Sequence, residues 1–173
     1  MFWNVHQNVA NFTGRKSLLT EMKSELDISR SFPYSAICMS GLGGIGKTEC
    51  AARYIHIYRK DYENIFWIKA DSLEVSLANL VSYFNDGCNY ESVEVLMQII
   101  SKQVKDTKCL FVLDNAVDFK SVKLFLQNLI FQINPHIIIT SQNSQWRSRS
   151  VKRIDMDVFL MKKLLNSFRR KFH

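Results

Sequence analysis

The sequence predicts an α/β fold in which a mostly parallel five-stranded sheet lies between two layers of helices. Short apolar runs alternate along the chain with segments of helical periodicity, which is the order of a doubly wound sandwich. The run CLFVLD at 109–114 is nearly all apolar, as expected for a strand buried on both faces of a parallel sheet. The length of 173 residues suits one domain with a single sizeable core.

Five runs are predicted to be strands because they are short, apolar and separated by turn residues or helical patterns. In chain order they lie at 35–40, 65–70, 109–114, 136–141 and 151–156. The first of them is followed by a glycine-rich turn and then by a helical segment.

The helices are predicted from apolar residues that recur at helical spacing and therefore share one face. They are expected at 17–26, 47–60, 72–84, 90–105 and 118–131, with a last helix from about residue 158. Ser72 is a candidate N-cap for the third helix, since a serine side chain can accept from a free N–H group of the first turn. The clearest apolar faces consist of Leu18, Leu19, Met22 and Leu26, of Ala51, Ala52, Tyr54, Ile55 and Tyr58, and of Val93, Leu96, Met97 and Ile100.

The composition excludes several classes of protein. Apolar residues make up 47% and charged residues 23%, which is typical of a globular chain and not of a disordered one. No apolar run approaches the roughly 18 residues of a membrane helix, and the first residues lack the pattern of a signal peptide. Cys38, Cys50, Cys88 and Cys109 have no C-x-x-C spacing, which favours reduced thiols in a cytoplasmic protein.

The net charge of +7 arises at the end of the chain. Residues 1–144 contain 14 Lys/Arg and 14 Asp/Glu, whereas residues 145–173 contain 9 and 2. A balanced body argues against nucleic acid as the main partner. We therefore assign 1–157 to one domain and 158–173 to a basic amphipathic helix. Two alternatives stay open for this helix: it packs on the sheet or on a following domain, or it binds an anionic membrane, calmodulin or nucleic acid.

The segment GLGGIGKT at 41–48 matches G-x-x-x-x-G-K-[ST], the phosphate-binding loop or P-loop. Its glycines allow the backbone to approach an anion, so the N–H groups from about Gly43 to Thr48 can point at phosphates. The helix that begins near Lys47 adds the positive end of its dipole. The Lys47 ammonium would bind β- and γ-phosphate oxygens, and the Thr48 hydroxyl would bind Mg²⁺. Because the motif lies between an apolar strand and an amphipathic helix, a P-loop NTPase sandwich is favoured over an ordinary glycine turn.

A P-loop requires a carboxylate at the end of a neighbouring strand to hold the hydrated magnesium ion. Asp114, at the end of CLFVLD, is the candidate. Many ATPases carry a second acidic residue directly after it to activate water, but this chain has Asn115. Since an amide cannot accept a proton from water, hydrolysis is expected to be slow. Alternatively, Asn115 only forms a turn and an acidic residue elsewhere acts as the base.

Five segments, in order, resemble the NB-ARC nucleotide-binding domain of apoptotic-protease activators, plant disease-resistance proteins and related signal-transduction ATPases with numerous domains (STAND). Together they span roughly residues 10–156. The segments are FTGRKSLLTEMKSEL (12–26), GLGGIGKT (41–48), IFWIKADS (65–72), LFVLDNAVD (110–118) and HIIITSQNSQW (136–146).

The resemblance implies a switch in which ADP holds a closed monomer and exchange for ATP opens it for oligomerisation. The family's opening segment packs beside the adenine, so Phe12, Thr13, Gly14 and Arg15 are expected to contact the base and ribose. The family's sensor strand places an arginine where this chain has Gln142, and Gln cannot offer a guanidinium to the γ-phosphate. The helical and winged-helix domains of the family do not follow residue 156, which predicts a fragment or a truncated product.

The sequence thus predicts that the chain binds ADP or ATP with Mg²⁺ as the switch module of a signalling NTPase, and that it is at most a slow ATPase. An active P-loop ATPase fragment and a degenerate scaffold acting through protein–protein contacts are the alternatives. Partners other than nucleotide would be further protein domains or copies of the chain. The candidate catalytic residues are Lys47, Asp114 and Asn115, and the candidate metal ligands are Thr48 and Asp114. The candidate nucleotide-binding residues are Phe12, Thr13, Gly14, Arg15, Gly41, Gly43, Gly44, Ile45, Gly46, Lys47, Thr48, Glu49, Thr140 and Gln142.

Overall fold

The computed structural model describes residues 1–6, 15–28, 32–84, 92–129, 134–146 and 148–156, which contain six strands and five α-helices. The strands are β1 (Phe2–Trp3), β2 (Ser35–Ser40), β3 (Asn64–Lys69), β4 (Cys109–Ala116), β5 (His136–Ser141) and β6 (Val151–Asp155). The helices are α1 (Lys16–Asp27), α2 (Lys47–Tyr58), α3 (Leu73–Phe84), α4 (Val93–Val104) and α5 (Phe119–Gln127). Short 3-10 turns lie at Arg59–Asp61 and Ala70–Ser72.

All six strands are parallel and follow the order β1-β3-β4-β5-β2-β6. The α/β class predicted from the sequence is confirmed, but the count of five strands is wrong by one. The additional strand is β1, which pairs with β3 at the edge of the sheet, with Phe2 opposite Ile65. A strand of two residues is too short to show any periodicity, so the sequence pattern could not reveal it.

Helices cover both faces of the sheet, which gives the three layers of the predicted sandwich. Side chains of α1 and α2 pack on one face, and side chains of α3, α4 and α5 pack on the other. Successive strand residues point to opposite faces. In β5, for example, Ile138 lies in the core beneath α1 and α2, whereas Ile137 and Ile139 lie in the core beneath α3, α4 and α5. The sheet is therefore buried on both sides, as its nearly continuous apolar strands predict.

Polar side chains set the starts of two helices. Ser92 accepts from the N–H of Val95 (3.4 Å) at the start of α4. Asp118 and Ser121 form a capping box at the start of α5. Ser72 lies instead in the turn before α3, where its hydroxyl donates to Asp71 Oδ1 (3.2 Å).

Several sequence-based expectations concern residues outside the described ranges. These are the contacts of Phe12, Thr13 and Gly14 and the whole basic helix at 158–173. Cys88 lies outside them too, while the other three cysteines are buried free thiols. In the ranges that the structure does describe, no helix is both long and apolar enough to cross a membrane.

The strand order brings three segments together at the carboxyl edge of the sheet. Because β5 lies between β2 and β4, its end is adjacent both to the glycine loop that follows β2 and to Asp114 in β4. The N–H of Gly41, the first loop residue, donates to the carbonyl oxygen of Ser141 at the end of β5 (3.2 Å). This edge is where parallel α/β sheets bind ligands.

Candidate nucleotide-binding site

The loop between β2 and α2 needs glycine for two different reasons. Gly44 and Gly46 have φ values of 74° and 87°, a left-handed conformation that other residues rarely adopt. At Gly41 the reason is space, because a Cβ there would lie 2.6 Å from the carbonyl oxygen of Met156. Gly46 occupies the N-cap position of α2, so the free N–H groups of the first turn open into the loop. A loop of this shape is suited to bind an anion.

Lys47 lies at the first position of α2, and its side chain folds back over the loop. Its ammonium donates to the carbonyl oxygens of Gly41 (2.9 Å) and Leu42 (2.8 Å). Only 8% of the residue is exposed. Burial lowers the pKa of Lys47 from its ordinary value, and the nearby charge of Asp114 opposes this effect. The loop thus carries a partly desolvated positive charge where a phosphate would bind.

The hydroxyls of two threonines meet on one carboxylate oxygen. Thr48 donates to Asp114 Oδ1 (3.0 Å), and Thr140 donates to the same oxygen (2.5 Å). The Thr140 oxygen also accepts from the backbone N–H of Asn115 (2.8 Å). Three elements, the P-loop helix, β4 and β5, are joined by these contacts.

This arrangement fits a hydrated magnesium ion. The Thr48 hydroxyl donates its hydrogen bond to Asp114, which leaves the lone pairs of the hydroxyl oxygen free for a metal. Both threonine bonds end on Oδ1, and no partner of Asp114 Oδ2 lies among the described residues. Mg²⁺ prefers such oxygen ligands and keeps several waters, taking one or two protein ligands together with phosphate oxygens.

Asn115 is held in an unusual conformation beside this cluster. Its φ is 63°, which is left-handed, and asparagine tolerates this better than most residues. Its side-chain Nδ2 donates to Asp71 Oδ2 (2.9 Å), in the turn that follows β3. Sequence reasoning assigned no role to Asp71. The sequence offered only a weak indication of this contact. Asp71 lies two residues beyond β3, and β3 is the neighbour of β4 in the sheet.

Arg15 lies directly before α1, and its side chain contacts the glycine loop. Its Nη2 donates to the carbonyl oxygen of Ile45 (2.6 Å), and its Nη1 lies 3.6 Å from the sulfur of Met156. The guanidinium therefore joins the start of α1, the loop and the residue that follows β6. This places Arg15 and Ile45, both candidates from the sequence, in direct contact.

Gln142 and Glu49 lie at the margin of the site. Gln142 directly follows β5. A Cβ built on Gly43 would be 3.4 Å from Gln142 Oε1, so the Gln142 side chain lies beside the loop. Glu49, on the first turn of α2, has its Oε1 3.1 Å from His6 Nε2. The contact with His6 had no signal in the sequence because it joins two segments 43 residues apart.

Comparison with solved structures supports the same fold. Cdc6p from Pyrobaculum aerophilum is 13% identical with a TM-score of 0.60, and the match covers 86% of this chain and 46% of that one. A DNA replication initiation factor is 15% identical with a TM-score of 0.53, over 96% of this chain and 56% of the other. A STAND protein with a tetratricopeptide repeat sensor from Pyrococcus horikoshii is 16% identical with a TM-score of 0.52, over 89% and 24%.

The glycine loop, the strand order and these similarities define a P-loop NTPase fold. The chain spans about half or less of the length of each of the three proteins. The comparison with protein-family models finds no match, and neither does the comparison with curated protein sequences.

Proposed function

We propose that this chain binds ADP or ATP together with Mg²⁺ and serves as the nucleotide-dependent switch module of a signalling NTPase. The observation that carries the proposal is the meeting of the Thr48 and Thr140 hydroxyls on Asp114 Oδ1, directly beside the glycine loop. A carboxylate at this place, with a hydroxyl 3.0 Å away, offers the oxygen ligands that a magnesium ion bound together with a nucleotide would take.

Each part of the loop has a role in the proposed complex. The N–H groups from Gly43 to Thr48 and the start of α2 face the phosphates. The Lys47 ammonium exchanges its bonds to the carbonyls of Gly41 and Leu42 for bonds to phosphate oxygens. Thr48 and Asp114 would hold the magnesium ion, which would neutralise phosphate charge. Arg15 supports the loop through the carbonyl of Ile45.

Two residues favour retention of the nucleotide over rapid hydrolysis. Asn115 takes the position after Asp114, and its amide can hydrogen-bond water but cannot remove a proton. Gln142 is neutral, so it cannot stabilise charge on the γ-phosphate as an arginine would. Loss of a general base alone slows a reaction by about 10²–10⁴-fold.

The switch role rests on the order of the five NB-ARC-like segments along the chain. One protein of similar fold is itself described as a signal transduction ATPase with numerous domains. Other domains or other copies of the chain would respond to the bound nucleotide, and we propose these as its partners.

The first test is nucleotide binding by the purified chain. Denaturation followed by chromatography should release ADP at near one per chain. Lys47→Met should weaken binding roughly 10- to 100-fold in calorimetry, because it removes charge-assisted bonds to phosphate. Lys102→Met is the matched control, since Lys102 is exposed on α4 and should not alter affinity. Absence of binding, or equal binding by Lys47→Met, would leave the degenerate scaffold as the better reading.

A second test separates a slow switch from an active ATPase. Phosphate release from ATP should be slow, with ADP remaining bound after the single turnover. Rapid release that is lost in Asp114→Ala would favour the active enzyme instead.

A further inference from the structure

We infer that Asp71 is a positioning residue for the water that attacks the γ-phosphate, and that it acts through the side chain of Asn115. The inference rests on the proposed function, because it requires ATP and Mg²⁺ at the glycine loop. It assigns a role to a carboxylate that the sequence motifs leave unused.

Asp71 reaches the site because β3 and β4 are neighbours in the sheet. Lys69, the last residue of β3, lies opposite Asp114. The 3-10 turn then carries Asp71 two residues further, to the level of Asn115. The Asp71 Oδ2 and Asn115 Nδ2 atoms are 2.9 Å apart.

This contact determines which way the Asn115 amide faces. A carboxylate can only accept hydrogen bonds, so the NH₂ group of the amide must face Asp71 and the amide oxygen must face away. The backbone of Asn115 is fixed as well, by its N–H bond to Thr140 Oγ1 (2.8 Å). Among the described residues, no group donates to Asn115 Oδ1. The side chain therefore offers one oriented acceptor next to the magnesium carboxylate.

An oriented acceptor can position water without removing its proton. In the proposed step, the water donates one O–H to Asn115 Oδ1 and turns a lone pair toward the γ-phosphorus. The new bond joins the water oxygen to that phosphorus, and the bond from phosphorus to the bridging oxygen breaks. ADP leaves with the electron pair, and the protons of the water divide between inorganic phosphate and solvent. Because no base accelerates the step, turnover is slow but depends on the orientation of the amide.

The test compares Asp71→Ala with Asp71→Asn. Asparagine at 71 still offers an acceptor oxygen to Asn115 Nδ2, but its NH₂ group can also donate to Asn115 Oδ1, so it holds the amide in either of two orientations, whereas alanine leaves the amide free to rotate. In single-turnover hydrolysis at saturating ATP and Mg²⁺, Asp71→Ala should be roughly 10- to 100-fold slower. Asp71→Asn should lie between Asp71→Ala and the unsubstituted chain, because only one of its two amide pairings leaves Asn115 Oδ1 free to accept from water. The affinity of both variants for a non-hydrolysable ATP analogue should be unchanged, since neither residue is proposed to bind phosphate.

Asn115→Gly provides a second variant that should fold. Glycine adopts a φ of 63° without strain, so this substitution removes the amide side chain and preserves the backbone conformation. It should be as slow as Asp71→Ala, and adding Asp71→Ala to it should cause no further loss, because the two residues act as one unit.

Four results would overturn the inference. Equal losses in Asp71→Ala and Asp71→Asn would mean that the negative charge acts directly. Unchanged turnover in Asp71→Ala, or additive losses with Asn115→Gly, would mean that Asp71 is not coupled to hydrolysis. No measurable turnover by a chain that binds the analogue would also reject the role. Failure of the analogue to bind at all would instead reject the proposed nucleotide function.

Discussion

Lowering the pH from 7 to 5 should destabilise the protein through one buried imidazole. His136 begins β5 and is 5% exposed, and its Nδ1 lies 2.8 Å from the hydroxyl of Tyr62. The Tyr62 hydroxyl is in turn 3.0 Å from that of Tyr54. Burial, together with the charge of Lys108, lowers the pKa of His136 to about 4.

The size of the effect follows from the difference between the folded and unfolded chains. An unfolded histidine has a pKa of about 6.5, so between pH 6.5 and 4 the unfolded chain binds the extra proton. Protons taken up on unfolding favour the unfolded state, and stability therefore falls as the pH falls through this window. From pH 7 to pH 5 the loss is about 2 kcal/mol. The loss depends mainly on the unfolded pKa, because the folded imidazole is still mostly neutral at pH 5.

Urea denaturation at pH 7 and pH 5, at one ionic strength, measures this loss directly. His136→Asn should remove most of it, because an asparagine oxygen can replace Nδ1 as the acceptor for Tyr62 but does not titrate. His56→Asn is the matched control, since His56 is exposed on α2 and its replacement should preserve the difference between the two pH values. A loss below about 0.5 kcal/mol in the unsubstituted chain, or an equal loss in His136→Asn, would refute the reasoning.

Three further predictions concern the site and the core. Gly41→Ala should lower the free energy of unfolding by about 1–3 kcal/mol in urea denaturation, because its Cβ would lie 2.6 Å from the carbonyl oxygen of Met156. Thr48→Ser should retain nucleotide binding that depends on Mg²⁺, whereas Thr48→Ala should lose most of that dependence in titrations with and without the metal, since it removes the hydroxyl beside Asp114. Tyr62→Phe should lower the free energy of unfolding by about 2–4 kcal/mol, again measured in urea, because two buried polar partners lose their hydrogen bond.

The elements predicted most accurately were those whose pattern is local. β2 and β5 have the predicted bounds, 35–40 and 136–141, because each is a short apolar run between turn residues. β1 could not be predicted, since its two residues form a strand only through pairing with β3. Helix α3 begins at Leu73 and not at the predicted residue 72, because the residues before it form a separate 3-10 turn.

The same distinction holds at the site. Lys47 and Thr48 belong to one contiguous motif, and Asp114 ends a recognisable apolar run, so all three could be named as candidates from the sequence. The contact between Asp71 and Asn115 depends on which strands are neighbours, and a strand order cannot be read from periodicity. Their separation of 44 residues left no local pattern to detect.

The position of β5 between β2 and β4 determines the distance between the glycine loop and Asp114. Two strand spacings of about 4.8 Å each separate the backbone that precedes the loop from the backbone that carries Asp114. Thr140 fills this interval and bonds to the carboxylate from the middle strand. The separation is a dimension of the hydrogen-bonded sheet, so it is established when the chain folds and requires no movement when a ligand arrives. A change at residue 140 would leave this spacing intact but would remove the hydroxyl that bonds to Asp114 and to the backbone N–H of Asn115, although this residue is not part of the loop motif.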